Sequence, residues 1–182
     1  MGAIPSTTYY PATPNPARWI LIGFVAGAVS VLVFHQGAVA LMNALELTER
    51  APYAMQPTQP FGLPQLWSLA FWGGVWGVLF AALLRRLDGA PLVAAALVLG
   101  AVLPTLVAWF LVAPLKGQPV AAGFAPMAMA FGVIVNAAWG LGTGLGLALF
   151  GRRRPVERRH ATDRRRSERR RLERSLAPQA IG

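Results

Sequence analysis

Four long apolar runs without a single Asp, Glu, Lys or Arg leave this chain few folds to choose from. They are Trp19 to Leu45, Leu66 to Leu84, Pro91 to Ala113 and Ala125 to Phe150. An α-helix rises about 1.5 Å per residue, so about 20 such residues cross a hydrocarbon core about 30 Å thick. The competing membrane architecture, a closed β-barrel, uses alternating strands of about 10 residues, and these runs do not alternate. Composition points the same way. Only 13% of residues are charged and 55% are hydrophobic, with mean hydropathy +0.47, against about 25% charged in a soluble domain. The expected fold class is an all-α membrane protein with four transmembrane helices over residues 18–150. An irregular, proline-rich segment covers 1–17, and an Arg-rich tail covers 151–182.

Charge placement sets the expected threading. The formal net charge is +10, and twelve of the seventeen basic residues are arginines in the last 32 positions, beside Glu157, Asp163, Glu168 and Glu173. Basic residues flanking spans stay on the cytoplasmic side. Arg18, the Arg85–Arg86 pair and the tail fall on one side of a four-span threading. Arg50, beside Glu46 and Glu49, falls on the other with Lys116. Both termini are therefore expected in the cytoplasm, with residues 46–64 and 114–124 outside. Sixteen arginines to one lysine, with abundant Ala, Gly and Pro, suggest a GC-rich bacterial genome and hence the inner membrane. Ala38-Val39-Ala40 resembles a signal-peptide cleavage site, but the uncharged N-terminal segment and the long apolar run argue against it. Met1-Gly2 through Ser6 fits a myristoylation pattern, which a bacterial setting disfavours.

A possible duplication runs through the chain. Ala51-Pro52, Gln56-Pro57 and Pro64 match Ala113-Pro114, Gln118-Pro119 and Pro126 at one offset. At a second offset Trp72, Gly73, Gly77, Ala81, Arg85 and Arg86 match Trp139, Gly140, Gly144, Ala148, Arg152 and Arg153. Two halves of two spans each would form a parallel 2+2 repeat; chance matching of Pro-rich loops and Gly-rich helices is the alternative.

Small residues share one face on two runs: Ala70, Gly73, Gly77 and Ala81 on the second, and, with Asn136 among them at a spacing of four, Gly132, Gly140 and Gly144 on the fourth. In lipid, helices associate by close packing over such faces. Gly73, Gly77, Gly140 and Gly144 are thus helix-packing positions, expected to hold the second and fourth helices to each other or to further copies. Trp19, Trp67 and Trp109 sit near span ends as interfacial anchors. Trp72 and Trp76, one turn apart, line a groove or, more plainly, pack on lipid or a neighbouring helix.

Polar groups inside spans are costly and mark candidate sites. Here they are His35, Gln36, Ser68, Thr105 and Asn136, all at mid-membrane or in the outer half, with His35 about 24 Å from the inner end of its helix. No candidate is placed in the inner half, which reads as apolar residues and glycine. A transport path needs polar groups through the full thickness, so one copy of the chain is expected to form a shallow outward-facing cavity. His35, with Gln36 and Asn136 as partners, reads as a proton- or ligand-responsive site; a satisfied interhelical hydrogen bond is the plainer reading. One histidine without cysteine or a second nearby histidine makes no transition-metal site. No nucleophile elbow, zinc-protease motif or phosphate loop occurs, so no catalytic residue, cofactor or metal is expected.

The tail, including Arg152, Arg153, Arg154, Arg158 and Arg159, follows the last span directly. With Arg85 and Arg86 it is expected to bind anionic phospholipid headgroups, at about 1 kcal/mol per basic residue near the surface. It has no aromatic residue for base stacking, which argues against nucleic acid as a partner.

Phe34-His35-Gln36-Gly37, Phe71-Trp72-Gly73-Gly74-Val75-Trp76-Gly77 and Asn136-Ala137-Ala138-Trp139-Gly140-Leu141-Gly142 together resemble a family of small uncharacterised bacterial inner-membrane proteins. The resemblance covers about residues 18–150 and implies membrane residence, but no activity. The expected role is a non-enzymatic structural or accessory subunit, alone as a homo-oligomer or with a membrane-protein partner. The alternatives are a small oligomeric transporter or channel with its site around His35, and a tether holding anionic lipid or RNA through the tail.

Overall fold

The structure is a computed structural model that describes residues 16–59, 61–151 and 167–169. The chain divides into two compact units, 1–151 and 152–182. In the second, Ser167, Glu168 and Arg169 are helical. The expectations for Arg152, Arg153, Arg154, Arg158, Arg159 and the proline-rich start lie outside the described residues.

Four helices of the first unit are long and apolar enough to span a membrane: α1 (Ala17–Ala44), α2 (Gln65–Leu83), α3 (Gly89–Leu115) and α4 (Pro126–Phe150). Their ends fall within about two residues of the sequence-based spans, because the charge and proline clusters that bound the apolar runs also end the helices. α2 stops just before Arg85–Arg86, and α3 starts after Asp88, across the Leu84–Leu87 turn. Pro126 occupies the first turn of α4, where its missing N–H is not needed.

Neighbouring helices run antiparallel in the order α2, α1, α4, α3. α1 packs along both α2 and α4, and α3 packs along α4. The termini of α1 and α4 meet at one end, where the Arg18 guanidinium donates to the Phe150 carbonyl at 3.3 Å. That end also carries the Leu84–Leu87 turn, and we call it the turn end. The opposite, loop end carries the two longer connections. The first contains a short antiparallel ladder, Pro57–Thr58 with Leu63–Pro64. The second includes a tight turn at Val120–Phe124 whose Ala121, Ala122, Gly123 and Phe124 all have positive φ.

Glycine makes the two hairpins possible. A Cβ on Gly27 would strike the Gly73 backbone, and one on Gly77 would strike the Gly23 carbonyl. In the second hairpin a Cβ on Gly140 would strike the Ala96 carbonyl, and one on Gly144 would lie 2.7 Å from the Ala96 Cβ. The small face of α2 therefore meets α1, and that of α4 meets α3. This corrects the expected pairing of α2 with α4, which barely touch. Small-residue faces permit close approach but do not choose the partner. The short turn and glycines on the preceding helices, Gly23, Gly27 and Gly100, make that choice.

The two hairpins join through α1 and α4 around Trp139, which is only 2% exposed. Its indole N–H donates to the Gly27 carbonyl at 2.9 Å, and its ring stands edge-on to Phe80 at 5.1 Å. Its own carbonyl accepts from Ser30 Oγ at 2.6 Å and Thr143 Oγ1 at 2.9 Å. Phe80, Leu84, Leu92, Ala96 and Leu147 fill the rest of this core, which lies towards the turn end. Trp72 is 58% exposed, and Trp76 is half-buried against Phe80, so the pair forms no groove.

Candidate functional site

α2 and α3 do not pack on each other, and at the loop end no described residue fills the space between them. The result is a cleft of about 640 Å³ with α1 and α4 as its floor. His35, Gln36 and Val39 come from α1, and Phe131, Gly132, Val135 and Asn136 from α4. Gln65 and Leu69 of α2 form one wall. Ala108, Trp109 and Val112 of α3 form the other, and both loop-end connections reach the mouth.

Two local distortions border this space. α1 is π-helical over Val31–His35, and α3 over Ala108–Val112. A π turn inserts a residue into the helix and re-aims the side chains after it; such turns are frequent at functional sites. His35 closes the first, and Trp109 lies within the second.

Of the five polar candidates, three line the cleft and two do not. His35, Gln36 and Asn136 are brought together. Thr105 is buried, 2% exposed, and acts on Asn136 instead. Its Oγ1 accepts from Asn136 Nδ2 at 2.9 Å and donates to the Gly132 carbonyl at 3.4 Å. That fixes the Asn136 amide with its carbonyl oxygen free of any hydrogen bond among the described residues. Ser68 is outside the lining because Gln65 and Leu69, one turn apart, take that face of α2.

Asn136 is bonded to Thr105 rather than to His35. The His35 Nδ1 faces the Gln36 amide nitrogen at 3.5 Å, a long contact. No other hydrogen bond to the imidazole occurs among the described residues. Gln36 is committed elsewhere: its Oε1 accepts the Tyr53 backbone N–H at 2.7 Å, while the Tyr53 hydroxyl donates to the Leu32 carbonyl at 3.1 Å. Tyr53 has φ +54°, a conformation unusual for an aromatic residue that this double clamp holds. Gln36 thus fastens the first connection over the cleft. We expect Gln36→Leu to leave the helices assembled and to release this connection. Limited proteolysis should then cut between residues 46 and 64 at least about fivefold faster, since a lost buried acceptor costs about 1–3 kcal/mol.

Sequence reasoning missed the cations. Arg50, from the first connection, and Lys116, just past α3, both line the mouth with Gln118. Among the described residues no acidic side chain lines the cleft. Glu46 and Glu49, near Arg50 in sequence, instead line a separate depression with Asn43 and Thr48. The Arg50 guanidinium stands 4.9 Å from the centre of the Phe131 ring. Trp109, read from the sequence as a residue near a span end, lies within the second π turn and lines the wall, with its indole nitrogen 3.4 Å from where a Gly132 Cβ would stand. Among the described residues no group of three or more His, Cys, Asp or Glu is placed to hold a metal ion.

Fold and site together define a class, the multi-pass helical membrane protein with a cleft at one end of its bundle. No family model, curated protein or solved structure matches the chain.

Proposed function

We propose that this protein is a non-enzymatic accessory subunit of a bacterial inner membrane, threaded with both termini in the cytoplasm and its cleft open to the outside. The observation that carries this reading is the one-sidedness of the cleft. Its polar lining ends at His35 and Asn136, and from there to the turn end the bundle is closed by Trp139, Phe80 and the glycine seams. Such an arrangement holds something at one face of the membrane and passes nothing through. The Arg85–Arg86 turn and the Arg-rich tail then meet anionic headgroups on the cytoplasmic side.

The 2+2 parallel repeat belongs to the same reading. Each half is an antiparallel hairpin with a seam of small residues, Gly23 and Gly27 against Gly73 and Gly77, then Ala96 and Gly100 against Gly140 and Gly144. The first helix of each half carries a π turn towards the loop end. The short motifs around Phe34-His35-Gln36-Gly37 and Trp139-Gly140 support membership of the bacterial family they resemble.

Co-purification in mild detergent tests the role. Full-length protein is compared with a chain stopped at Gly151, and protein, lipid and nucleic acid are each quantified. A defined membrane-protein partner is the expected result. RNA lost on truncation would instead favour the tether. A partner-free homo-oligomer would favour the transporter, a reading supported by the cleft reaching His35. That alternative requires a flux in liposomes that His35→Ala abolishes without unfolding the protein.

A further inference from the structure

The geometry points to the cleft as a binding site for an anionic amphiphile, a molecule with a phosphate or carboxylate head on an apolar body. The inference rests on the one-sided cleft of the reading above and adds the chemistry of its occupant.

Size comes first. At about 640 Å³ the cleft lies within the range of about 300–1,000 Å³ usual for small-molecule sites. Charge comes next: Arg50 and Lys116 both line the mouth, and no carboxylate among the described residues does. Two cations without a compensating acid favour an anion and disfavour a metal ion or an amine. Arg50 is braced for this role, with its guanidinium over the Phe131 ring; one face is occupied and the edge N–H groups remain available.

The interior asks for a different chemistry. His35 and Asn136 lie about 15 Å from the helix ends at the loop side, counting about 1.5 Å per residue. Between them and the cations the walls carry Val39, Leu69, Val112 and Val135 beside Gln65, with Trp109 and Phe131 the largest apolar side chains. At the bottom, the Nε2 of His35, whose Nδ1 faces the Gln36 amide, and the Asn136 carbonyl oxygen offer hydrogen bonds that no described residue uses. A small inorganic anion would leave this depth empty, whereas a neutral apolar molecule would leave two cations unmatched. An anion on an apolar body satisfies both ends.

The probe is dihexanoyl phosphatidylglycerol, titrated calorimetrically into the full-length protein in maltoside detergent. Dihexanoyl phosphatidylcholine and inorganic phosphate are titrated alongside it. We expect saturable binding of the first, at least about tenfold weaker binding of the other two, and a loss of at least about tenfold in the Arg50→Gln/Lys116→Gln double variant, one charged hydrogen bond being worth that or more. The charge-keeping pair Arg50→Lys/Lys116→Arg is expected to bind within about threefold of wild type, which separates lost charge from lost fold. Competition by long-chain phosphatidylglycerol assigns the occupant to the bilayer, and its absence to a soluble amphiphile; either supports the site. Equal affinity for phosphatidylcholine or for phosphate overturns it, as does an unaffected double variant. These outcomes do not bear on whether a partner subunit co-purifies, so the two readings fail separately.

Discussion

Replacing Gly27 by valine is expected to abolish the folded monomer in detergent, seen as aggregation in size-exclusion chromatography and loss of a cooperative thermal transition. A side chain at Gly27 meets the backbone of Gly73 and Gly77 rather than a flexible side chain that can swing aside. Overpacking a well-packed interior costs typically about 1–3 kcal/mol when neighbours adjust, and here the adjusting part is a whole helix. In lipid this close approach is itself what holds the hairpin, since apolar burial gives no preference for protein over acyl chain. Gly37→Val is the matched control: a Cβ there meets nothing within 4 Å, so a change of similar size on the same helix should leave the protein folded. If Gly27→Val folds like the control, the hairpin does not pack through this seam.

The second large effect is at Trp139, where alanine is expected to lower stability by about 3–5 kcal/mol, the usual cost of emptying a buried aromatic site. The indole is enclosed at the junction of the two hairpins, edge-on to Phe80 and hydrogen-bonded to the Gly27 carbonyl. Trp139→Phe separates the contributions: most of the ring packing survives, and the lost hydrogen bond costs about 1 kcal/mol. Trp72→Ala, at a tryptophan turned outwards, is expected to change the thermal midpoint little. The check is thermal unfolding of the three variants in one detergent. Similar losses at Trp72 and Trp139 would mean that the hairpins do not join where the structure places Trp139.

The candidate site was partly legible before any coordinates. His35, Gln36 and Asn136 stood out because an amide or imidazole inside an apolar run is costly wherever the run goes. Arg50 and Lys116 did not stand out, because charged residues in a polar connection cost nothing in isolation. Their importance lies in the acid-free cleft they share, and the connection carrying Arg50 is fastened by Tyr53 to Gln36, seventeen positions earlier. Trp109 lies near the end of its span, as the sequence indicates, but that it faces the cleft is visible only in the fold. Ser30 and Thr143 escaped notice altogether. Unlike Ser68 and Thr105, which the sequence picks out, they matter only through the Trp139 carbonyl they share, a contact between helices that no single run displays.

Read by itself, the sequence determined that four helices form, where each begins and ends, and which faces permit close packing. These are local properties: an apolar run without charge has one way to satisfy its backbone in lipid, and it ends where charge or proline ends it. Only the tertiary structure decided which small face meets which, where Trp139 closes the bundle, and which side chains, two cations among them, line the cavity at the loop end. The physical reason is that lipid supplies no hydrophobic gradient between one helix partner and another. The choice falls to shape, turn length and a few hydrogen bonds, none of which is visible until the helices are together.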